Sequence, residues 1–459
     1  MDNAVTSPSR NAAPAPNDVA GLVSGLRAAS ASLRAMLHAG LSSADAQSVM
    51  GCHDSVREAA HALAISCKSG GEGASRRPAW LASVRDVYAA LGDAYWSLLD
   101  GDASVEGEAL RLRAASAMAS QVQWSLCDRH DPPSLAWIRL GALFRAAEQT
   151  AAGEVAGDLP NVSREFLRAV ALFAADLHQL PFSEALATGE AIGAALPFLA
   201  LGPDAPDGIH YFVDPPDVCV PQRRLAAPSE RRGWSFRPEL ASEFFEELAL
   251  LLSLGRTPRG LEALDRASAI AAVRRLKASW CGDPPRRRAR RYALDGDLAV
   301  VCGFSGTRAV LSARAAVAPA TWQVTDLSRT GLGASIPFEP SRPVPDNGEL
   351  VGVRALDGGD WQVGVARRVR YGSGHVSVGI ETLCLEPVLL SVECADAALD
   401  VIACDPIRPG HSVRIAMPAG LAIGEKTLVA KGEHGSARLL PLAGMSRGYD
   451  FDLRSYRVL

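Results

Sequence analysis

Apolar positions follow two different rhythms along the chain, and the change falls near residue 283. Before it the spacing is helical. Trp80, Val84, Val87, Tyr88, Leu91, Tyr95 and Leu98 recur at three to four residues and line one helix face. Phe166, Val170, Phe173 and Leu177 do the same, as do Leu240, Phe244, Leu248, Leu251 and Leu252, with Gly255 as the stop. The pattern predicts helices over 18–38, 43–66, 79–99, 104–128, 133–150, 162–179, 183–200, 237–254 and 259–280. No fixed repeat with recurring Trp, Gly and Ala positions runs through them, so an irregular bundle is expected rather than a repeat array.

After Pro284 and Pro285 the period shortens to two. Leu298–Phe304, Trp322–Leu327, Leu350–Ala355, Trp361–Val369 and His375–Glu381 are short, β-branched and alternating, with Gly, Pro, Asp and Asn between them. Asp357-Gly358-Gly359-Asp360 reads as a hairpin turn. An antiparallel barrel is expected. Beyond Pro387 the texture continues through Val413–Met417, Lys426–Ala430 and Tyr449–Leu453, either as a second small module or as an extension of the first.

The expected fold is therefore multidomain α + β. It comprises a tail over 1–17, an all-α helical bundle over 18–201 and a Pro-rich surface connection over 202–236. A helical pair over 237–283, an antiparallel barrel over 284–390 and a further small β region over 391–459 complete it. Arg223, Arg224, Arg231 and Arg232 in the Pro-rich stretch are read as a solvated face.

Composition narrows the function classes. A hydrophobic share of 48% with 21% charged residues suits folded, soluble protein. A net charge of -4 argues against bulk nucleic-acid binding, so any basic site is local. The nine cysteines form no CxxC pair and no zinc-spaced cluster, and read as reduced core thiols. The N-terminus lacks the charged and apolar regions of a signal peptide, and the longest apolar stretch, Ala191–Leu201, falls short of the ~20 residues a membrane span needs. A cytoplasmic protein is expected. Gly303-Phe304-Ser305-Gly306 is not GxSxG, and Walker A, GxGxxG and HExxH patterns do not occur, so no enzyme, cofactor or metal is expected.

Two clusters carry candidate chemistry. Arg286, Arg287, Arg288, Arg290 and Arg291 place five guanidiniums within six residues, which repel one another unless solvated or matched by an anion. Guanidinium forks fit phosphate oxygens and the guanine O6/N7 edge. The second cluster is Asp326, Ser328 and Gly331, in Asp326-Leu327-Ser328-Arg329-Thr330-Gly331. Asp326 and Ser328 stand at i, i+2 on a predicted strand and so share a face. An aspartate accepts from guanine N1 and N2, a serine hydroxyl can bridge to a ring atom or phosphate, and Gly331 is read as the turn that brings backbone to the ligand. Together they suit a small, anionic, guanine-containing molecule. Arg367, Arg368 and Arg370 are read as a solvated edge beside a turn.

The two clusters, in this order, resemble the PilZ family, with its RxxxR motif upstream of a six-stranded barrel and [D/N]xSxxG on an early strand. Arg287 and Arg291 fit RxxxR best, Arg286 and Arg290 fit it one residue earlier, and Asp326, Ser328 and Gly331 fit the second motif. Two departures stand out: a longer stretch between the motifs, predicting an extra strand or loop around Gly303–Ala318, and Thr330 where glycine is common. The resemblance implies binding of cyclic di-GMP, with arginines on phosphates and guanines and with Asp326 and Ser328 on a guanine edge. The arginine run joins the two textures, so closing it on a dianion can reposition what lies on either side. A protein partner contacted by the helical domain is the expected output. The rival reading is a non-catalytic adaptor with a degenerate barrel, or one that binds nucleic acid or an anionic surface through Arg286–Arg291.

Overall fold

The computed structural model describes residues 18–68, 73–99, 106–150, 161–202, 210–213, 221–224, 234–258, 261, 265–281, 290–312, 317–339, 343–372, 374–394, 397–421, 426–432 and 435–459. The chain divides into two compact units, Met1–Pro285 and Arg286–Leu459.

The first unit is mainly helical. Helices α1 (Asp18–Ala39), α2 (Ala46–Lys68), α3 (Gly73–Leu99), α4 (Glu106–Cys127), α5 (Ser134–Thr150), α6 (Asn161–Ala174) and α7 (Phe182–Ala195) precede a small sheet. Helices α8 (Ser242–Ser253) and α9 (Arg266–Trp280) follow it. Two helices end earlier than periodicity predicts. Asp176 takes a left-handed φ of 52°, which stops α6 before residue 179. Pro197 replaces the last turn expected of α7 with a short 3-10 turn over Leu196–Phe198.

Gly255, at φ 80°, closes α8 as the apolar pattern predicts. Its N–H donates to the Leu252 carbonyl at 3.1 Å and that of Arg256 to Leu251 at 3.0 Å, the paired bonds of a Schellman ending. The buried face, however, runs from Ala241 in the 3-10 turn before α8 through Phe245, Leu248 and Leu252 rather than through Leu240 and Phe244, and Leu240 is half exposed. The Phe244-Phe245 pair fits two helical faces, and the contact with Trp280, whose ring centroid lies 6.0 Å from that of Phe245, favours the second.

The Pro-rich stretch is not simply a surface connection. Strands β1 (Ala200–Gly202), β2 (His210–Val213), β3 (Gln222–Arg224) and β4 (Trp234–Arg237) form an antiparallel sheet in the order β1-β4-β2-β3. Strands of three or four residues are too short to show a period, so only the prolines between them stand out as pattern. The anchor is Phe236, fully buried with its ring 5.3 Å from that of Trp280 in an edge-on contact.

The second unit holds two closed six-stranded barrels. The first is built from β5 (Tyr292–Cys302), β6 (Ala320–Ser328), β7 (Gly331–Pro337), β8 (Leu350–Ala355), β9 (Gln362–Tyr371) and β10 (His375–Cys384). Around its wall the strands run β5-β6-β7-β10-β9-β8 and back to β5. The insertion after β5 is a helix, α10 (Gly303–Leu311), and not the extra strand or loop predicted there. Gly303 at φ 83° turns the chain out of the strand and into it. Gly358 and Gly359, both at positive φ, form the β8–β9 hairpin turn.

Residues after Pro387 make a complete barrel rather than an extension: β11 (Val388–Cys394), β12 (Ala397–Ala403), β13 (Ser412–Pro418), β14 (Leu428–Gly432), β15 (Gly435–Arg447) and β16 (Phe451–Val458). The wall runs β11-β12-β13-β16-β15-β14 and closes on β11. Counted within each barrel, both rings read first-second-third-sixth-fifth-fourth. The chain traces one topology twice. Closure removes the free strand edges that an open sheet would present.

A shared core joins the barrels: Phe304, Leu350, Val363 and Val365 of the first meet Ile402, Ala416 and Phe451 of the second. Asp450 ties it with polar bonds. Its Oδ1 accepts from the Leu350 N–H at 3.0 Å, and its Oδ2 accepts from the Phe304 N–H in the first turn of α10. A carboxylate from one barrel thus caps a helix of the other. Tyr449 N donates to Gly348 O at 2.8 Å, and Arg414 Nη2 to Leu383 O at 3.1 Å.

Candidate functional site

The site residues are placed by the first three strands of the first barrel. Trp322 of β6 points into its core with Leu332, Ala334 and Ile336 of β7, and Val324, paired with Ala334, is buried too. The β6–β7 register then slips between Val324 and Asp326. Beyond the slip Leu327 pairs with Leu332, while Asp326 pairs with Gly333 and Ser328 with Gly331. Since Leu332 faces the core, Asp326 and Ser328 lie on the outer face. One extra residue therefore turns this carboxylate and hydroxyl outward.

The carboxylate needs room there, and Gly333 provides it. A Cβ at 333 would stand 2.6 Å from Asp326 Oδ2 and 2.8 Å from Thr325 Oγ1. Sequence reasoning did not single out Gly333; the only trace was a second glycine two residues after Gly331. Gly331 itself plays a different part from the one expected. It sits in β7 without a positive φ, and a Cβ there would come 2.1 Å from the Ile380 carbonyl oxygen. Its glycine is required by the close approach of β10, not by a turn. The turn is Arg329-Thr330, and Thr330 O accepts from Thr382 N at 3.0 Å.

The basic cluster reaches the same place through β5. Ala293 pairs with Asp326 and Tyr292 with Leu327. That register puts Arg291 beside the carboxylate, with Nη1 3.2 Å from Asp326 Oδ1 and 3.3 Å from Oδ2. Arg290 instead lays its guanidinium over the exposed ring of Tyr292, 5.5 Å from the centroid. Arg286 and Arg287 lie outside the described residues. Ser328 Oγ donates to Gly331 O at 2.9 Å, so its hydrogen is committed and its lone pairs can accept from a ligand donor. The structure thus brings Arg291, Asp326, Ser328 and Gly331 together.

The second barrel bears a trace of the same motif between its second and third strands, as Asp405-Pro406-Ile407-Arg408-Pro409-Gly410. Isoleucine stands where the first barrel has Ser328. The Asp405 carboxylate is fully engaged: Arg414 donates from Nε at 2.8 Å and Nη2 at 2.6 Å, and its backbone N–H at 2.9 Å. The guanidinium bonds, followed by that backbone bond, hold the Asp405 carboxyl below its ordinary range despite some burial. Chemically it is closed to a ligand.

Residues 20–205 match the family described as "Cyclic-di-GMP receptor FimW, N-terminal domain". The likeness falls on the helical unit, from α1 past β1, where the apolar pattern pointed to no family. It does not fall on the barrel whose motifs carry the PilZ resemblance. No curated protein matches the chain. Among the described residues no helix is long and apolar enough to cross a membrane.

Proposed function

We propose that this chain is a non-catalytic, cytoplasmic receptor for cyclic di-GMP, which it binds on a PilZ-like first barrel. The observation that carries this reading is the Arg291–Asp326 pair. Two clusters 35 residues apart in sequence meet where the chain enters β5 beside β6, so one ligand can touch both. Arg291, with Arg286, Arg287 and Arg290, supplies guanidinium forks to phosphate and guanine. Asp326 accepts from guanine N1 and N2, and Ser328 accepts beside it. Without ligand Arg291 and Asp326 neutralise each other, and a ligand that offers a phosphate to one and two N–H donors to the other replaces both halves of that pair at once. The match of residues 20–205 to the N-terminal domain of a cyclic di-GMP receptor family supports the same ligand by an independent route. The helical unit passes the signal to a protein partner.

Calorimetric titration of the full chain tests this. Cyclic di-GMP should bind at micromolar or better affinity, and GTP and cyclic AMP far more weakly. Asp326→Ala should weaken binding roughly 10- to 150-fold, the range for losing a hydrogen bond from a charged group. Absence of binding by the intact chain refutes the reading.

A further inference from the structure

The cross-strand registers extend the outer face well beyond Asp326. Asp326 of β6 pairs with Gly333 of β7, Gly333 with Gly379 of β10, and Gly379 with Arg368 of β9. These four residues form one row across four strands, an acid at one end, a base at the other and two glycines between. The β9–β10 register slips between Gly379 and Ile380, and Val369 faces the barrel core, which leaves Arg368 on the outer side.

Both glycines have work to do. Gly333 admits the Asp326 carboxylate, and the Arg368 stem lies against Gly379, with Cβ at 3.6 Å and Nε at 3.7 Å from where a Cβ would stand. The two charged side chains thus lie down on the sheet from opposite ends. Three strand spacings separate their backbones, about 14 Å. That span lets a nucleotide lie flat over the glycine pair, base towards Asp326 and phosphate towards Arg368. Arg370 follows at i+2 on the same face, paired with Ser377.

We infer that Arg368 is a ligand-contacting residue of this site, the phosphate anchor on the side opposite Arg291. It is not merely part of a solvated edge. The inference rests on the receptor reading and adds to it a fixed cation carried by the barrel wall. A dianion gripped from both ends by guanidiniums is oriented as well as attracted.

Titration of the full chain with cyclic di-GMP, together with thermal melts, decides the matter. Arg368→Ala should raise Kd about 10- to 150-fold with the melting midpoint unchanged. Gly379→Val removes no charge and suits a strand, yet fills the floor and displaces the guanidinium, so it should raise Kd at least tenfold. Arg457→Ala, an equal loss of charge on the second barrel, should leave Kd within about twofold. If Asp326→Ala weakens binding while Arg368→Ala and Gly379→Val do not, the inference is overturned and the receptor reading stands. If the intact chain binds no cyclic di-GMP, both fall.

Discussion

Replacing Asp450 by alanine should unfasten the two barrels. The carboxylate accepts two backbone N–H groups, from Phe304 and Leu350, both of the other barrel. Hydrogen bonds to a charged group contribute about 1.5–3 kcal/mol each. Asp450 is only partly buried, so water can reach the vacated donors and the lower end of the range applies, giving about 3 kcal/mol for the pair. For a unit of this size each kcal/mol shifts the midpoint by about 2–4 °C, so the β unit should melt roughly 6–12 °C lower. Differential scanning calorimetry of the full chain reads this, because the helical unit's own transition serves as an internal reference. Asp450→Asn keeps one acceptor oxygen and should fall between alanine and the parent. A shift under about 2 °C for the alanine variant would show that the two bonds are not what holds the barrels together.

Three further outcomes follow from the same contacts. Gly331→Ala should lower the soluble yield and midpoint of the β unit, because its Cβ meets the Ile380 carbonyl oxygen at 2.1 Å; an unchanged melt would contradict that packing. Burial, with the Arg113 charge adding to it, pulls the buried His53 from the ordinary 6.5 to about 4. The unfolded chain therefore takes up a proton below pH 6.5 that the folded chain refuses, and stability falls by up to about 3 kcal/mol as pH drops towards 4. His53→Gln should flatten that slope in urea titrations of the helical unit's transition. Asp405→Ala should leave cyclic di-GMP affinity unchanged by calorimetry while lowering the β unit's midpoint, since its carboxylate already serves Arg414.

The helices were legible because their apolar faces persist over several turns; every residue of the Trp80–Leu98 series is buried. Alternation in the first barrel was nearly as clear, and both site motifs could be read as chemistry. What escaped notice depended on partners distant in sequence. The slip at Thr325 that turns Asp326 outward is a relation between β6 and β7, invisible along either strand alone. Gly331 looks like a turn residue until β10 is set beside it. The face of α8 was ambiguous by one residue until Trp280 chose between the phenylalanines. The second barrel was seen only in fragments: Gly435–Arg447 carries Pro441 and Gly444 inside one long strand, where both normally signal an interruption.

The core between the barrels dictates where this protein can be cut. A boundary after β10 looks natural on paper, since one barrel ends there and the next begins at Val388. Severing the chain at that point would bare Phe304, Leu350, Val363 and Val365 to water and strip the cap from α10. Such a fragment would carry Arg291, Asp326, Ser328 and Gly331 and yet be prone to aggregate. The smallest piece that carries the proposed site and keeps this core closed is the whole of Arg286–Leu459, in which the second barrel serves as the first one's inner wall.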